Sequence, residues 1–278
     1  MTFHKPTTRL QVSARAILSV GVAMGGLATA GAVRAAPAAD AAAPTAVEEV
    51  IVTAQKREQR LQDVPVAVTV LKTKQLEQTG VRSVKDLTLL TPGFNAATNG
   101  DEATTTVRIR GIGTVADNPG LEDAVGIYID GVYRPRNGVS FNNLGELSDV
   151  EVLKGPQGTL FGKNTVAGVL QITTKRPSFT FGGDAEFDVQ NYDGFGGHAS
   201  VTGPLIGDIL AGRLFFADYQ RDGYIPVIQA PTTDSPAQTD EHVYTVRGQL
   251  LYQPTSNFDI TVIADYTKRD DHCCTAVG

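Results

Sequence analysis

Hydrophobic and polar residues alternate along most of the C-terminal part of the chain. The alternating stretches lie at 185–190, 195–202, 210–219, 244–252 and 258–266, the third being the least regular. A period of two predicts strands with one apolar and one polar face. The connections at 203–207 and 254–257 are short, whereas the one at 220–241 is long and proline-containing. Antiparallel strands with aromatic ends and unequal connections are typical of a transmembrane β-barrel, although a soluble β-sandwich alternates equally well.

The segment from 61 to 177 has a different pattern, in which short apolar runs are separated by glycine and proline. Two short helices are predicted there: Thr73 caps one that Gly80 ends, and the other begins at the capping-box spacing of Ser83 and Asp86. Asp130-Gly131 predicts a tight turn. Strands are predicted at 64–71, 104–110, 125–130, 150–153 and 169–174. Together these elements indicate a compact α+β domain.

The first 36 residues have the three-part plan of a secretory signal. Basic side chains (Lys5, Arg9 and Arg15) precede an apolar segment rich in Gly and Ala, and Val33-Arg34-Ala35 offers a small-residue cleavage site. A membrane-spanning helix is the alternative, but the apolar segment is short for a bilayer. We therefore predict a signal peptide at 1–36 and a flexible leader at 37–60.

Charge and cysteine usage narrow the classes of function. The net charge of −6 becomes −10 without residues 1–36, because that segment carries four basic side chains and no acidic ones. An acidic exported chain is a poor candidate for nucleic acid, whose phosphates require Lys and Arg. The only cysteines, Cys273 and Cys274, are adjacent. Adjacency favours a vicinal disulfide over a metal site, with unpaired thiols as the alternative.

Two glycine-rich stretches resemble nucleotide-binding motifs but fail on context or spacing. Gly111-Ile-Gly113-Thr-Val-Ala116 follows a predicted strand, yet the turn residues at 117–120 replace the helix that a dinucleotide site needs. The run from Gly158 to Asn164 is one residue too short for a phosphate loop and has Asn where a metal-binding hydroxyl belongs. The scattered histidines offer no catalytic spacing. We therefore predict no catalytic residues, no cofactor and no metal site.

Several motifs carry a resemblance to a known family. They are Glu48-Glu-Val-Ile-Val-Thr-Ala54, Arg108-Ile-Arg-Gly-Ile-Gly113, Tyr128-Ile-Asp-Gly-Val-Tyr133, and the run from Asp149 to Asn164 with its continuation at 168–177. The first resembles the TonB box, and the others resemble the plug-domain signatures, of TonB-dependent outer-membrane receptors. Lys154 and Lys163 stand where the family often has Arg, which keeps the charge but loses the bidentate guanidinium.

The resemblance implies an architecture and a set of partners. It implies an α+β plug domain at 61–177, followed at 178–278 by the first antiparallel strands of a transmembrane β-barrel, 22-stranded in full-length relatives and surrounded by outer-membrane lipid. It also implies that the C-terminal domain of TonB, energised through ExbB and ExbD, adds a strand to the box at 48–54. The TonB-binding residues, on a short exposed peptide, would be Glu49, Val50, Ile51, Val52, Thr53 and Ala54.

A nutrient ligand at the plug apex and outer loops is a further implication of the resemblance. An iron–siderophore complex is the family default, while relatives also take up vitamin B12, sugars and aromatic compounds. Import would bring this scarce nutrient into the periplasm of a Gram-negative bacterium. The loop residues expected to contact the ligand are Asn99, Asp101, Thr114, Asp117 and Asn118.

The stretch after 177 offers about five strands, fewer than the eight with which bacterial outer-membrane barrels begin. We therefore expect the chain to be an N-terminal fragment of a longer receptor. Two other classes are a standalone periplasmic plug-like protein that engages TonB without a pore, and an exported enzyme. The amphipathic strands weigh against the first, and only the rejected glycine motifs support the second.

Overall fold

The computed structural model describes residues 50–81, 83–98, 105–114, 121–135, 146–224 and 240–271. The predicted signal peptide and residues 37–49 of the predicted leader lie outside these ranges. Among the residues described, no helix has the length and apolar content that crossing a bilayer requires.

The first unit of the structure contains ten short strands, three short α-helices and two 3₁₀ helices in its described residues. The α-helices are α1 (Thr73–Thr79), α2 (Leu87–Leu90) and α3 (Gly158–Phe161). The strands are β1 (Ile51–Val52), β2 (Gln59–Arg60), β3 (Ala67–Lys72), β4 (Phe94–Thr98), β5 (Thr105–Ile109), β6 (Ile112–Gly113), β7 (Val125–Ile129), β8 (Val132–Arg134), β9 (Leu147–Lys154) and β10 (Gly168–Thr174).

A mixed five-stranded sheet lies at the centre of this unit. Its strand order is β3-β9-β10-β7-β8, and only the pair of β10 and β7 is parallel. All residues of β7 are buried, as are Val150 to Leu153 of β9. Burial on both faces explains why these strands are near-continuous apolar runs rather than alternating ones.

The two faces of the central sheet are covered by different parts of the chain. On one face, α1, α2 and the small sheet β4-β5-β6 enclose a core that includes Leu76, Leu87 and Ile109. On the other face, Val52, Ala54 and Phe161 pack against the sheet. The second face is therefore covered in part by the segment that precedes the plug.

Some element boundaries differ from those that the sequence predicts. The strand expected from Val64 begins at Ala67, because Leu61–Asp63 forms a 3₁₀ turn first. Thr73 begins α1 but does not cap it, since Lys72 holds the N-cap position and the Thr73 hydroxyl donates to the Ser148 carbonyl at 2.6 Å. That bond ties α1 to β9.

Other local predictions are confirmed. Gly80 ends α1 in the left-handed conformation, with φ of 64°. Ser83 donates its backbone N–H to Asp86 Oδ2 at 2.9 Å, and the turn that it opens, Val84–Asp86, is a 3₁₀ helix leading into α2. Asp130 and Gly131 both have positive φ, which matches the twist of the β7–β8 hairpin.

The second unit is an antiparallel sheet of sequential strands, as the alternation predicts. One of its faces exposes apolar side chains such as Phe187, Val201, Leu214, Leu250 and Val262. The strands are β11 (Gly182–Val189), β12 (Phe195–Ile206), β13 (Leu210–Arg221), β14 (Glu241–Thr255) and β15 (Phe258–Arg269).

The other face of this sheet contacts the first unit through buried charges. Arg247 of β14 forms an ion pair with Asp130, whose Oδ1 also accepts from the Thr174 N–H at 2.8 Å. Arg213 of β13 forms an ion pair with Glu146. These pairs join the turn after β7 and the start of β9 to the second sheet.

Candidate functional site

Residues 50–54, called the box segment below, form a hairpin with the chain that follows them. Strand β1 pairs antiparallel with β2, so that Ile51 lies opposite Arg60 and Val52 opposite Gln59. Leu61 N–H donates to the Val50 carbonyl at 2.9 Å, and Lys56 N–H closes the turn on the Thr53 carbonyl at 2.8 Å. The β-branched residues of the segment suit this extended conformation.

The box segment is docked on the plug sheet by its apolar side chains. Val52 is 1% exposed and Ala54 is fully buried, in a cluster with Leu153 and Val169. Ile51 is 42% exposed. Sequence reasoning expected residues 50–60 to be part of a flexible leader with an exposed box. The structure differs because this sheet face is apolar and these residues cover it.

A buried polar contact fixes Thr53 to the sheet. Glu151 Oε1 accepts hydrogen bonds from the Thr53 N–H at 2.7 Å and from the Thr53 hydroxyl at 3.3 Å. Gln171 Nε2 donates to the same hydroxyl oxygen at 2.7 Å. Glu151 and Gln171 lie opposite each other on β9 and β10, so the sheet presents both to one residue of the box segment.

Glu151 is in an environment that disfavours its charged form. Its side chain is 1% exposed, and Oε2 has no hydrogen-bond partner among the described residues. Burial raises the pKa of the Glu151 carboxyl above its ordinary value, and Asp149 on the same strand adds to the rise. The hydrogen bonds from Thr53 and the charge of Lys72 oppose that rise in part.

Lys72 makes the other side-chain contact to the backbone of the box segment. Its Nζ donates to the Ile51 carbonyl at 2.9 Å. Nearby, the Lys56 ammonium lies 5.2 Å from the centre of the Phe161 ring, at the turn of the hairpin. The segment is thus held by apolar packing, by a buried carboxyl and by an exposed ammonium.

The structure brings together one cluster that resembles a catalytic triad in composition. Asp184 Oδ2 is 3.1 Å from His198 Nε2, and Asp184 Oδ1 accepts from Ser200 Oγ at 2.9 Å. The serine therefore contacts the carboxylate rather than the imidazole that would have to activate it. Arg213 also donates to Ser200 Oγ, at 3.1 Å. The described residues contain no His, Cys, Asp or Glu cluster suited to a metal ion.

The predicted site residues fall partly outside the described ranges. Val50 to Ala54 are described, but Glu49 is not. Thr114 is in a described loop, where its hydroxyl donates to the Glu122 carbonyl at 3.0 Å. The other predicted ligand and disulfide residues, Asn99, Asp101, Asp117, Asn118, Cys273 and Cys274, lie outside the described part of the chain.

Sequence reasoning missed Glu151 and Gln171 as partners of the box segment. The available signal was an acidic residue inside the buried run Asp149-Val-Glu-Val-Leu153. A carboxyl in such a run needs a hydrogen-bond donor.

The two positions where family arginines are often found make modest contacts. Lys154 Nζ donates to the Pro92 carbonyl at 2.9 Å, and Lys163 pairs with Glu122 at the surface.

Comparison with known proteins agrees with this architecture. The family model described as TonB-dependent Receptor Plug Domain matches residues 60–169. The pesticin receptor of Yersinia pestis is 32% identical over 179 residues, which cover 62% of this chain and 25% of the relative. The vitamin B12 transporter BtuB of Vibrio vulnificus is 33% identical over 132 residues, covering 46% of this chain and 20% of the relative.

Two solved structures extend the comparison to the fold. The ferric yersiniabactin uptake receptor FyuA from Yersinia pestis aligns with a TM-score of 0.66 and 27% identity, over 73% of this chain and 31% of that one. The ferripyoverdine receptor of Pseudomonas aeruginosa aligns with a TM-score of 0.65 and 19% identity, over 79% of this chain and 27% of that one. The second likeness concerns the fold alone.

The plug fold and the adjoining antiparallel strands are those of outer-membrane receptors, and the relatives that the chain matches are receptors rather than enzymes. Residues 60–169 match the plug domain of TonB-dependent receptors, and the plug with its adjoining strands is similar to receptors of that family. The chain spans about a quarter of the length of the curated relatives that it matches.

Proposed function

We propose that this chain is part of a receptor that binds a scarce nutrient at the cell surface and imports it into the periplasm with energy transmitted by TonB. The observation that carries the proposal is the box segment itself, a β-branched peptide with an exposed Ile51 that precedes a matched plug domain. The proposed contact with the C-terminal domain of TonB comprises Glu49 and residues 50–54. It forms by strand addition, in which main-chain hydrogen bonds supply affinity.

The TonB contact is tested with a substitution that blocks only the edge that a partner strand would use. Alternation along a strand directs the N–H of Ile51 away from β2, because Val50 is bonded to Leu61 on that side. Ile51→Pro removes this N–H and leaves the bonds to β2 intact. Ile51→Ala is the matched control, since it shortens the side chain and keeps the donor.

We expect the C-terminal domain of TonB to bind the full chain in detergent micelles, and Ile51→Pro to weaken binding at least tenfold. Ile51→Ala should change the affinity by a few-fold at most. Titration calorimetry measures both. Equal binding by the two variants would show that TonB does not add a strand at this edge.

An iron–siderophore complex is the nutrient that we propose first. The relatives include a ferrioxamine B receptor of Salmonella typhimurium, 27% identical over 168 residues, and an iron-regulated outer membrane virulence protein of Vibrio cholerae, 29% identical over 193 residues. Vitamin B12 is the alternative substrate, since a vitamin B12 transporter is 33% identical. Proposed ligand contacts are Asn99, Asp101, Thr114, Asp117 and Asn118.

Uptake by cells separates the two substrates. Deletion of the gene should abolish uptake of radioiron supplied as one or more ferric siderophores, and leave uptake of labelled cobalamin unchanged. Restoring the gene with Asp101→Ala and Asp117→Ala should lower the apparent affinity for the siderophore. Loss of cobalamin uptake alone would replace the iron proposal with the vitamin.

A further inference from the structure

The box segment has two backbone edges, and they have different partners. Val50 and Val52 face β2, as the bond from Leu61 N–H to the Val50 carbonyl shows. Because successive residues of a strand point their backbone groups to opposite edges, Ile51 and Thr53 face away from β2. This outward edge is the one to which a third strand would be added.

Side chains of the plug sheet already occupy the outward edge. Lys72 Nζ donates to the Ile51 carbonyl at 2.9 Å, and Glu151 Oε1 accepts from the Thr53 N–H at 2.7 Å. The two side chains come from adjacent strands, since Lys72 of β3 lies opposite Asp149 of β9, two residues from Glu151. A donor thus meets the carbonyl and an acceptor meets the N–H, as a neighbouring strand would provide.

We propose that Lys72 and Glu151 form an edge cap, a pair of positioning residues that competes with TonB for the backbone of the box segment. The inference rests on the proposed strand addition and adds to it the residues that regulate it. A partner strand can hydrogen-bond to the Ile51 carbonyl and the Thr53 N–H only after Lys72 and Glu151 have released them. The cap therefore sets the affinity of the docked receptor for TonB.

The chemistry of the pair suits reversible capping. The Lys72 side chain is exposed, so water replaces the Ile51 carbonyl readily once the bond breaks. Glu151 is buried, so breaking its hydrogen bonds to Thr53 leaves a buried carboxyl without those donors, beside Gln171 on the adjacent strand. We therefore expect Glu151 to be the stronger half of the cap.

The test compares variants that remove a capping group with variants that retain it. Glu151→Met and Lys72→Met delete the acceptor and the donor with unbranched side chains of similar length. Glu151→Gln and Lys72→Arg keep an acceptor and a donor. Titration calorimetry of the full chain with the C-terminal domain of TonB gives the affinities, and hydrogen exchange at the Thr53 amide reports the docked state.

We expect Glu151→Met to bind TonB about tenfold more tightly than the parent chain, the change that loss of one hydrogen bond to the box segment represents. Lys72→Met should bind a few-fold more tightly, and Glu151→Gln and Lys72→Arg should behave like the parent. Thr106→Val removes a buried hydroxyl on the opposite face of the plug and should leave the affinity unchanged. This control separates edge capping from general loosening.

The outcomes distinguish failure of the edge cap from failure of the proposed contact with TonB. If the parent binds TonB, Ile51→Pro does not, and both methionine variants bind like the parent, the edge cap is wrong while strand addition stands. If neither the parent nor any variant binds TonB, the proposed function itself is wrong. Lys72 is exposed and its substitution leaves the core intact, so the test holds even if Glu151→Met fails to fold.

Discussion

Glu151 connects the chemistry of one residue to the state of the whole box segment. It lies between the apolar residues Val150 and Val152 on a buried strand, and its Oε1 accepts hydrogen bonds from Thr53. A buried carboxyl with an unpartnered oxygen is more easily tolerated when neutral. Protonation of this carboxyl and folding of the chain are therefore linked.

The linkage predicts that the folded chain loses stability as the pH rises. The pKa of Glu151 is raised in the folded chain, chiefly by burial. Its stabilising contribution is then fully present below the pKa of an exposed Glu, about 4.3, and is lost as the pH rises through the raised value. The free energy of unfolding, measured by urea titration, should fall over that interval. Glu151→Gln should flatten the profile, and the same slope in both proteins would contradict the linkage.

The fold leaves no room for a side chain at Gly168. It begins β10 with φ of 150°, and a Cβ there would lie 2.2 Å from the Leu153 carbonyl oxygen. Gly168→Ala should lower the free energy of unfolding by about 1–3 kcal/mol, because both the backbone conformation and the contact are strained. Gly158→Ala, at a site with open space, should change it by less than about 0.5 kcal/mol. Urea titration of both variants gives the comparison.

At the scale of elements, the box segment behaves as an extra strand laid over one face of the plug sheet. Val52 and Ala54 fill the apolar surface between β9 and β10, while Ile51 points out. Sequence patterning foresaw an extended segment because its β-branched residues favour strands. It did not foresee docking, because the partners Glu151 and Gln171 are 98 and 118 residues away from Thr53 in sequence.

Val52→Ala tests how much this packing contributes. Removing two buried methyl groups should destabilise the docked segment by about 1.5 kcal/mol, whereas Ile51→Ala, at an exposed position, should change it by less than about 0.5 kcal/mol. The opening free energy from hydrogen exchange at Thr53 measures both. Equal effects of the two substitutions would show that the apolar contact does not hold the segment.

The sequence pattern predicts some elements better than others. Strands β11 to β15 follow from alternation, because each has one apolar and one polar face. Helix α1 and its end at Gly80 follow from local signals. The role of Thr73 did not, since its hydroxyl bonds to Ser148, a residue distant in sequence. Local signals determine the element, whereas tertiary contacts determine which side chain caps it.

At the scale of the whole molecule, buried ion pairs join the plug to the second sheet. Arg247 and Asp130 are 8% and 14% exposed at their side chains, and Thr174 donates to the same carboxylate. These contacts lie at the turn after β7, whereas the box segment is held by side chains of β3, β9 and β10. One part of the plug therefore contacts the second sheet, and another part holds the box segment.

A double-mutant cycle tests this anchor. Asp130→Asn and Arg247→Met should show a coupling free energy of about 1–3 kcal/mol in thermal or urea unfolding, because the pair is largely removed from water. The exposed pair of Arg176 and Asp259 is the matched control. Its cycle should give less than about 1 kcal/mol. Equal coupling in the two cycles would mean that the buried pair adds no specific anchor.

The most direct test of the account is hydrogen exchange at the Thr53 amide of the full chain, measured alone and with the C-terminal domain of TonB. A docked box segment predicts strong protection in the chain alone, because Glu151 accepts from this N–H in a buried site. Glu151→Met removes that acceptor, so its Thr53 amide should exchange faster in the chain alone and regain protection when TonB is added, because the partner strand then accepts from this N–H. Exchange at the rate of a free peptide in the chain alone would contradict docking and, with it, the edge cap.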